Sequence, residues 1–258
     1  MQQSEKYIEI FEKAENTLIK KGCKLSREDA IKKHNDKLLF FKNATDNDFY
    51  YKMAMVVFYS GFRAPIVDAK EPSIRKYFSN YKKVMHYDKS EIEKIMTDRE
   101  MIRNLKKIES LIENAKAFFQ VIEKYGSFRE YLLSFNSNFP LSSNNINELK
   151  SDLQLRFKYF GPATVNHFLT DFGFPVLKPD RMVMRVMYRA HLLESESERE
   201  YERAIEIGNI ISKKLVIPIR YVDSVFAGLG QVGVANICKK NNPKCSKCEL
   251  ENVCNFYK

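Results

Sequence analysis

The sequence predicts an all-α protein built as two helical lobes. Apolar residues recur at helical spacing along nearly the whole chain, as Ile8, Phe11, Ala14 and Leu18 do on one face of residues 4–21. Only nine glycines interrupt 258 residues. No stretch reads as a convincing strand, and no segment repeats.

The elements follow in order. Ser26 is placed to cap a second helix. Asp46, Asn47 and Asp48 precede FYYKMAMVVFYSGF, a buried helix that stops at Gly61. Ser90-Glu91-Ile92-Glu93 reads as a capping box opening a short helix. Asp98 is expected to start a long helix through REMIRNLKKIESLIENAKAFFQVIEKYG, ended by Gly126, with Ser127 capping the next. Helices over 147–157, 164–172, 181–192, 197–214 and 219–229 complete the set. Residues 136–146 form the most polar break, and ESESEREYER at 194–203 reads as a solvated helix face. One lobe is expected over 45–165, and the other over 1–44 with 166–258.

Apolar residues make up 44% and charged residues 29%, ordinary values for a chain long enough to bury a core. The formal charge of +10 is not ordinary. It points to a polyanionic partner, nucleic acid first and an anionic membrane surface second. The many Asn, Ile and Lys residues also fit an AT-rich genome. The start, MQQSEKYIEIFEKAENTLIK, is amphipathic and lacks an apolar signal core. The longest apolar run, Met53 to Tyr59, is too short to span a bilayer. A cytoplasmic protein with no membrane partner is therefore expected, and its thiols should be reduced.

Four of the five cysteines lie in CKKNNPKCSKCELENVC, at Cys238, Cys245, Cys248 and Cys254. In a reducing compartment such a group reads as a metal site. Four thiolates suit a tetrahedral zinc or a cubane iron–sulfur cluster. Zinc ribbons pair two tight C-x2-C knuckles. Here one pair is tight and the outer ligands sit wider, which favours a [4Fe-4S] cluster, with zinc the alternative. Cys23 is remote and reads as a small core residue.

The spacing C-x6-C-x2-C-x5-C near the end of the chain resembles the cluster loop of the endonuclease III branch of the helix–hairpin–helix DNA glycosylases. Further motifs support that resemblance. LQLRFKYFGPATVNHFLTDFGFP, residues 153–175, reads as helix, tight turn at Gly161, helix. Its RFKYFGPAT resembles the hairpin of 3-methyladenine DNA glycosylase I, and FGFP followed by DRMVMRVMYR resembles endonuclease III. The stretch from Phe49 to about Phe135 is similar to 3-methyladenine DNA glycosylase I through KMAMVVFYSGFRAPIVDAKEPSIRKYF, DREMIRNLKKIESLIENAKAFF and YGSFREYL.

The resemblance implies a helix–hairpin–helix motif that binds DNA phosphate through Lys158, Tyr159, Gly161, Ala163 and Thr164. Backbone N–H groups at such a turn hold the duplex whatever its sequence. It implies that the loop KKNNPK brings Lys239, Lys240 and Lys244 to phosphates; these lysines would equally offset the charge of a cluster. It implies a catalytic carboxylate at Asp180, which by position alone is a helix N-cap after Pro179. Cleaving an N-glycosidic bond builds positive charge on the sugar, which a carboxylate stabilises. Bifunctional relatives carry a nucleophilic lysine at the start of the second hairpin helix. Here Gly161-Pro162-Ala163-Thr164 stands there, so a monofunctional enzyme without lyase activity is expected.

The family's base-recognising glutamate falls at Val56 and its pocket tryptophan at Ala64, and the chain has no Trp. Phe58, Tyr59 and Phe62, with Ala64, are then the candidate base pocket, with plain core packing as the alternative for the aromatics. Arg63 is a candidate wedge or phosphate contact. The expected function is a monomeric glycosylase of base excision repair, nucleoid-associated. It would act on double-stranded DNA with a damaged or modified base, an alkylated purine first, then oxidised, deaminated or mismatched bases. The alternatives are a DNA-binding protein that has lost catalysis and a zinc-stabilised protein bound to RNA.

Overall fold

The computed structural model describes residues 2–135 and 143–256. Its helices are α1 (Gln2–Lys20), α2 (Arg27–Asn43), α3 (Asp46–Tyr59), α4 (Ala64–Ala69), α5 (Glu71–Phe78), α6 (Tyr81–Val84) and α7 (Lys89–Thr97). They continue as α8 (Leu105–Tyr125), α9 (Phe128–Leu133), α10 (Ser143–Arg156), α11 (Pro162–Asp171), α12 (Arg181–Arg189), α13 (Tyr201–Leu215) and α14 (Ile219–Gly230). No strand occurs among the described residues, so the all-α expectation holds. Of the polar break expected at 136–146, residues 136–142 lie outside the described residues and the remainder already belongs to α10. No helix among the described residues is long and apolar enough to cross a membrane.

The chain divides into two compact units, Leu38–Phe174 and Met1–Lys37 with Pro175–Lys258. The first is wider at both ends than the expected 45–165 because its core is aromatic and draws in both flanks. Phe40 stacks on Phe172 at 5.8 Å, and Phe41 meets Phe49 at 5.7 Å and Phe174 at 5.5 Å. Phe118 and Phe128 stack at 4.3 Å in the same core. Each such ring stabilises the unit by about 1.5–3 kcal/mol on burial.

In the second unit α1 packs on α13 and α14, and α12 packs on α14. Phe11 meets Tyr221 and Phe226 edge-on, at 6.3 and 5.9 Å. Beside them the buried Glu15 carboxylate accepts from Arg27 and from the Tyr221 hydroxyl at 2.6 Å. Cys23 is partly buried against this core, as a small packing residue should be.

Several caps differ from expectation. Ser26 and Ser127 cap as read. The cap of α3 is Thr45, in a reciprocal box with Asp48, so Asp46–Asp48 form the first turn. Asp88 caps α7, which puts Ser90 inside it. Asp98 does not open the long helix; Asn104 does. Asp98 is held in a preceding turn, where it accepts from Tyr77 at 2.8 Å and Lys76 at 3.2 Å. Of the charged stretch 194–203, Glu198–Glu200 is a 3-10 turn and α13 starts only at Tyr201.

Candidate functional site

Asp180 sits at the N-cap of α12 in extended backbone. Its Oδ1 accepts from the N–H of Met182 at 2.8 Å and of Val183 at 3.0 Å. Both bonds fall on one oxygen, so Oδ2 takes part in neither. The preceding segment is fixed from below. Asp223 of α14, wholly buried, accepts from the Lys178 N–H at 2.9 Å and pairs with Arg220. The Asp180 N–H in turn donates to the Lys178 carbonyl at 2.8 Å.

The hairpin in Leu38–Phe174 is α10, a turn at 157–161, and α11. Gly161 is the N-cap of α11, with Pro162 in its first turn and no side chain capping it. The N–H groups of Ala163 and Thr164 lie in the first turn, where the helix itself offers no acceptor. Tyr159 holds a left-handed backbone, φ 61°, unusual for a residue with a side chain. It is fixed by Asn114 of α8, which donates to the Lys158 carbonyl at 3.1 Å and accepts from the Lys158 N–H at 2.7 Å. The Lys158 side chain is exposed, 3.9 Å from Glu113. The hairpin residues named from sequence therefore lie together across the turn and the first turn of α11.

The candidate pocket residues separate. Phe58 is wholly buried and packs edge-on against Phe78 at 5.6 Å, so it is a core residue with no face for a base. Tyr59, half-buried, donates its hydroxyl to Asp68, and its ring lies 5.3 Å from that of His167. Burial, then the Asp68 contact, pushes its hydroxyl well above the usual range. Phe62, Arg63 and Ala64 are exposed on the loop and first turn after Gly61, with Arg63 the N-cap of α4. Gly61 takes φ 80°, a conformation that turns the chain sharply here.

Behind this loop lies a group the sequence reading missed. Lys107 of α8 is 3% exposed, and its ammonium donates to the carbonyls of Val57, Phe58 and Ser60, the last two at 3.3 and 2.5 Å. These carbonyls end α3, where a cation is favoured. The same ammonium stands 5.1 Å from the ring centre of Phe62 and 5.4 Å from that of Tyr159. Burial pulls its pKa down to about 8.

In the other unit the cysteine loop is anchored by backbone. Arg189, at the end of α12, donates to the carbonyls of Lys239 at 2.8 Å and Lys240 at 3.1 Å, and to the Cys238 sulfur at 3.4 Å. The Lys244 N–H donates to the Ile237 carbonyl at 3.0 Å. Lys240 and Lys244 are exposed and Lys239 is partly so. Cys238, Cys245, Cys248 and Cys254 are all part-exposed free thiols. Burial pushes up the thiols of Cys238, Cys245 and Cys248, the last to about 11, and Cys254 raises each of them further. Among the described residues no three His, Cys, Asp or Glu side chains converge as ligands of a single ion.

The family model for methyladenine glycosylases matches residues 25–175, more than half of the chain. The chain belongs to the methyladenine glycosylase family. It is accordingly a DNA glycosylase, and DNA is its substrate. The match takes in the hairpin, the loop after α3 and Lys107, and it ends before Asp180 and the cysteines. Solved structures resemble more of the chain. The 8-oxoguanine DNA glycosylase of Thermotoga maritima is 14% identical over 91% of this chain and 100% of that one, with a TM-score of 0.59. The Methanocaldococcus jannaschii 8-oxoguanine glycosylase/lyase, solved with DNA, is 16% identical over 86% and 98%, at 0.56. A thermostable thymine-DNA glycosylase is 20% identical over 88% and 97%, at 0.51. At these identities the likeness is one of fold, and it gives this methyladenine glycosylase family member the all-helical architecture of enzymes that act on different bases.

Proposed function

We propose that this DNA glycosylase is monofunctional and that its first substrate is an alkylated purine. Asp180 is the reaction's carboxylate. As the glycosidic bond breaks, the sugar gains positive charge, which an ionised carboxylate stabilises while it orients the attacking water. The observation that carries this reading is the one-sided capping of Asp180. Oδ1 holds the helix, and Oδ2 is left for the sugar or the water. Gly161, Ala163 and Thr164 bind a phosphate through backbone N–H groups, with Lys158 adding charge. Lys239, Lys240 and Lys244 neutralise further phosphates. The start of α11 carries no lysine to attack the sugar, which supports hydrolysis without strand cleavage. An alkylated purine is favoured because the family is named for one, and a cationic base gains from the face of Tyr59.

Cys238, Cys245, Cys248 and Cys254 would hold a [4Fe-4S] cluster. The C-x6-C-x2-C-x5-C spacing supports this reading, because its single tight pair and wider outer ligands suit a cubane bound at four corners better than a zinc held by two tight pairs. When bound, the cluster crosslinks the loop. Arg189 donates to Cys238 and to the loop carbonyls, holding the backbone from which the lysines project.

The test is a panel of duplexes, each with one defined lesion, scored for released free base and then for borohydride-trapped enzyme. Release from an alkylated-purine duplex with no trapped adduct is expected. A trapped adduct with strand cleavage refutes monofunctional action, and release only from oxidised or mismatched bases refutes the substrate.

A further inference from the structure

Lys107 has no part in the mechanism above, yet it is a buried cation with no carboxylate among its described partners. All its hydrogen-bond acceptors are carbonyls at the end of α3. Its remaining neighbours are two aromatic rings from separate elements, Phe62 after the Gly61 turn and Tyr159 in the hairpin turn. Those rings are each 37% exposed. An ammonium between two rings is attracted to both through their electron-rich faces, and more strongly where water is excluded. Each ring is also held at its own backbone, Tyr159 beside the Asn114 clamp and Phe62 next to the positive-φ Gly61.

We propose that Lys107 is a positioning residue that locks Phe62 and Tyr159 into one aromatic edge, and that this edge stacks on DNA bases unpaired at the lesion. The proposal rests on the reading that the hairpin and the loop after α3 meet DNA. It assigns Phe62 and Tyr159 to the opened bases left in the duplex, and it leaves Tyr59 to the extruded one. Stacking of this kind is tolerant of sequence, because every base has a π-face. It therefore suits a repair enzyme that must open duplexes of any sequence. Without the cation the two rings lose their shared anchor, and the edge becomes two independent side chains.

The test uses the full chain and a duplex with a tetrahydrofuran abasic-site analogue, with 2-aminopurine as the neighbouring base. This probe requires no knowledge of the base excised. Lys107→Met is expected to weaken binding roughly tenfold, within the worth of one base–aromatic stack, and to lose most of the 2-aminopurine quenching. Lys107→Arg keeps the cation and is expected to restore both. Phe62→Leu and Tyr159→Leu each weaken binding, and adding Lys107→Met to either costs less than the product of the separate effects. A lowered melting temperature in Lys107→Met with unchanged affinity and quenching overturns the proposal, since that is what a purely structural lysine gives. If Lys107→Met does not fold, the ring variants decide: unchanged binding and quenching in both overturns it. A chain that quenches 2-aminopurine but releases no base from any lesion overturns the glycosylase mechanism and leaves the aromatic edge standing.

Discussion

Asp180 caps α12, and the proposed chemistry uses the same carboxylate, so the two roles must be separated by substitution. Asp180→Asn keeps an acceptor for the Met182 and Val183 N–H groups, and Asn caps about as well as Asp. Its stability should fall by no more than a few tenths of a kcal/mol. Asp180→Ser keeps the cap too. Asp180→Ala removes it, at a cost of about 1 kcal/mol. For a chain of this size that lowers the melting temperature by about 2–4 °C. Activity should follow a different order. All three variants lose the negative charge, and removal of one group that stabilises transition-state charge costs about 100- to 1,000-fold. The assay is single-turnover release of free base at saturating enzyme, with duplex affinity and thermal melting measured on the same preparations. Asn and Ser variants should melt with the parent, bind DNA nearly as well and excise at least about 100-fold more slowly. If Asp180→Ser turns over at the parental rate, Asp180 is a cap and nothing more, and the mechanism fails.

Asp223→Ala removes the buried acceptor of the Lys178 N–H, a loss of about 1–3 kcal/mol for a buried unpaired donor. It should also lower the excision rate more than the affinity, because Lys178 leads into Asp180; urea unfolding and single-turnover kinetics read the two effects. Anaerobic purification should give a brown protein with about four irons and four sulfides per chain, and Cys248→Ser should lower both. Elemental analysis showing zinc alone defeats the cluster assignment. Burial lowers the Lys107 pKa to about 8, below its unfolded value, so the unfolded chain binds the extra proton between about 8 and 10. Its contribution to stability is therefore complete only at high pH and is lost as pH falls through about 8. Denaturation of the parent against Lys107→Met across pH 7–10 should show that rise in the parent alone.

Much of the architecture was legible in the sequence because its signals are local. The α1 stripe, the Gly61 and Gly126 stops and the Gly161 turn each depend on residues a few positions apart. The misplaced starts were local ambiguities settled by distant partners. Asp98 and Asn104 are both good caps, and the bond from Tyr77 draws Asp98 into a turn instead. The short helices α4 and α5 went unread, although Pro65 and Pro72 stand in their first turns, where proline marks a helix start. For Phe58 the structure selects core packing, an alternative the sequence leaves open because an aromatic run does not reveal which ring faces inward.

The residues missed at the site share a cause. Lys107 reaches Val57, Asn114 reaches Lys158, and Asp223 reaches Lys178, so each acts through a segment remote in sequence. A signal was nonetheless present. Lys107 and Asn114 lie two turns apart on α8, in the stripe that also carries Ile108, Leu111, Ala115 and Phe118, all buried. A polar group in an apolar stripe is costly unless its hydrogen bonds are met inside. Each such interruption therefore implies a specific buried partner, and on one helix the two must point the same way. Here one anchors the loop after α3 and the other the hairpin turn. The cost of two buried polar groups on one face is met by holding in register the two segments through which this unit is proposed to grip DNA.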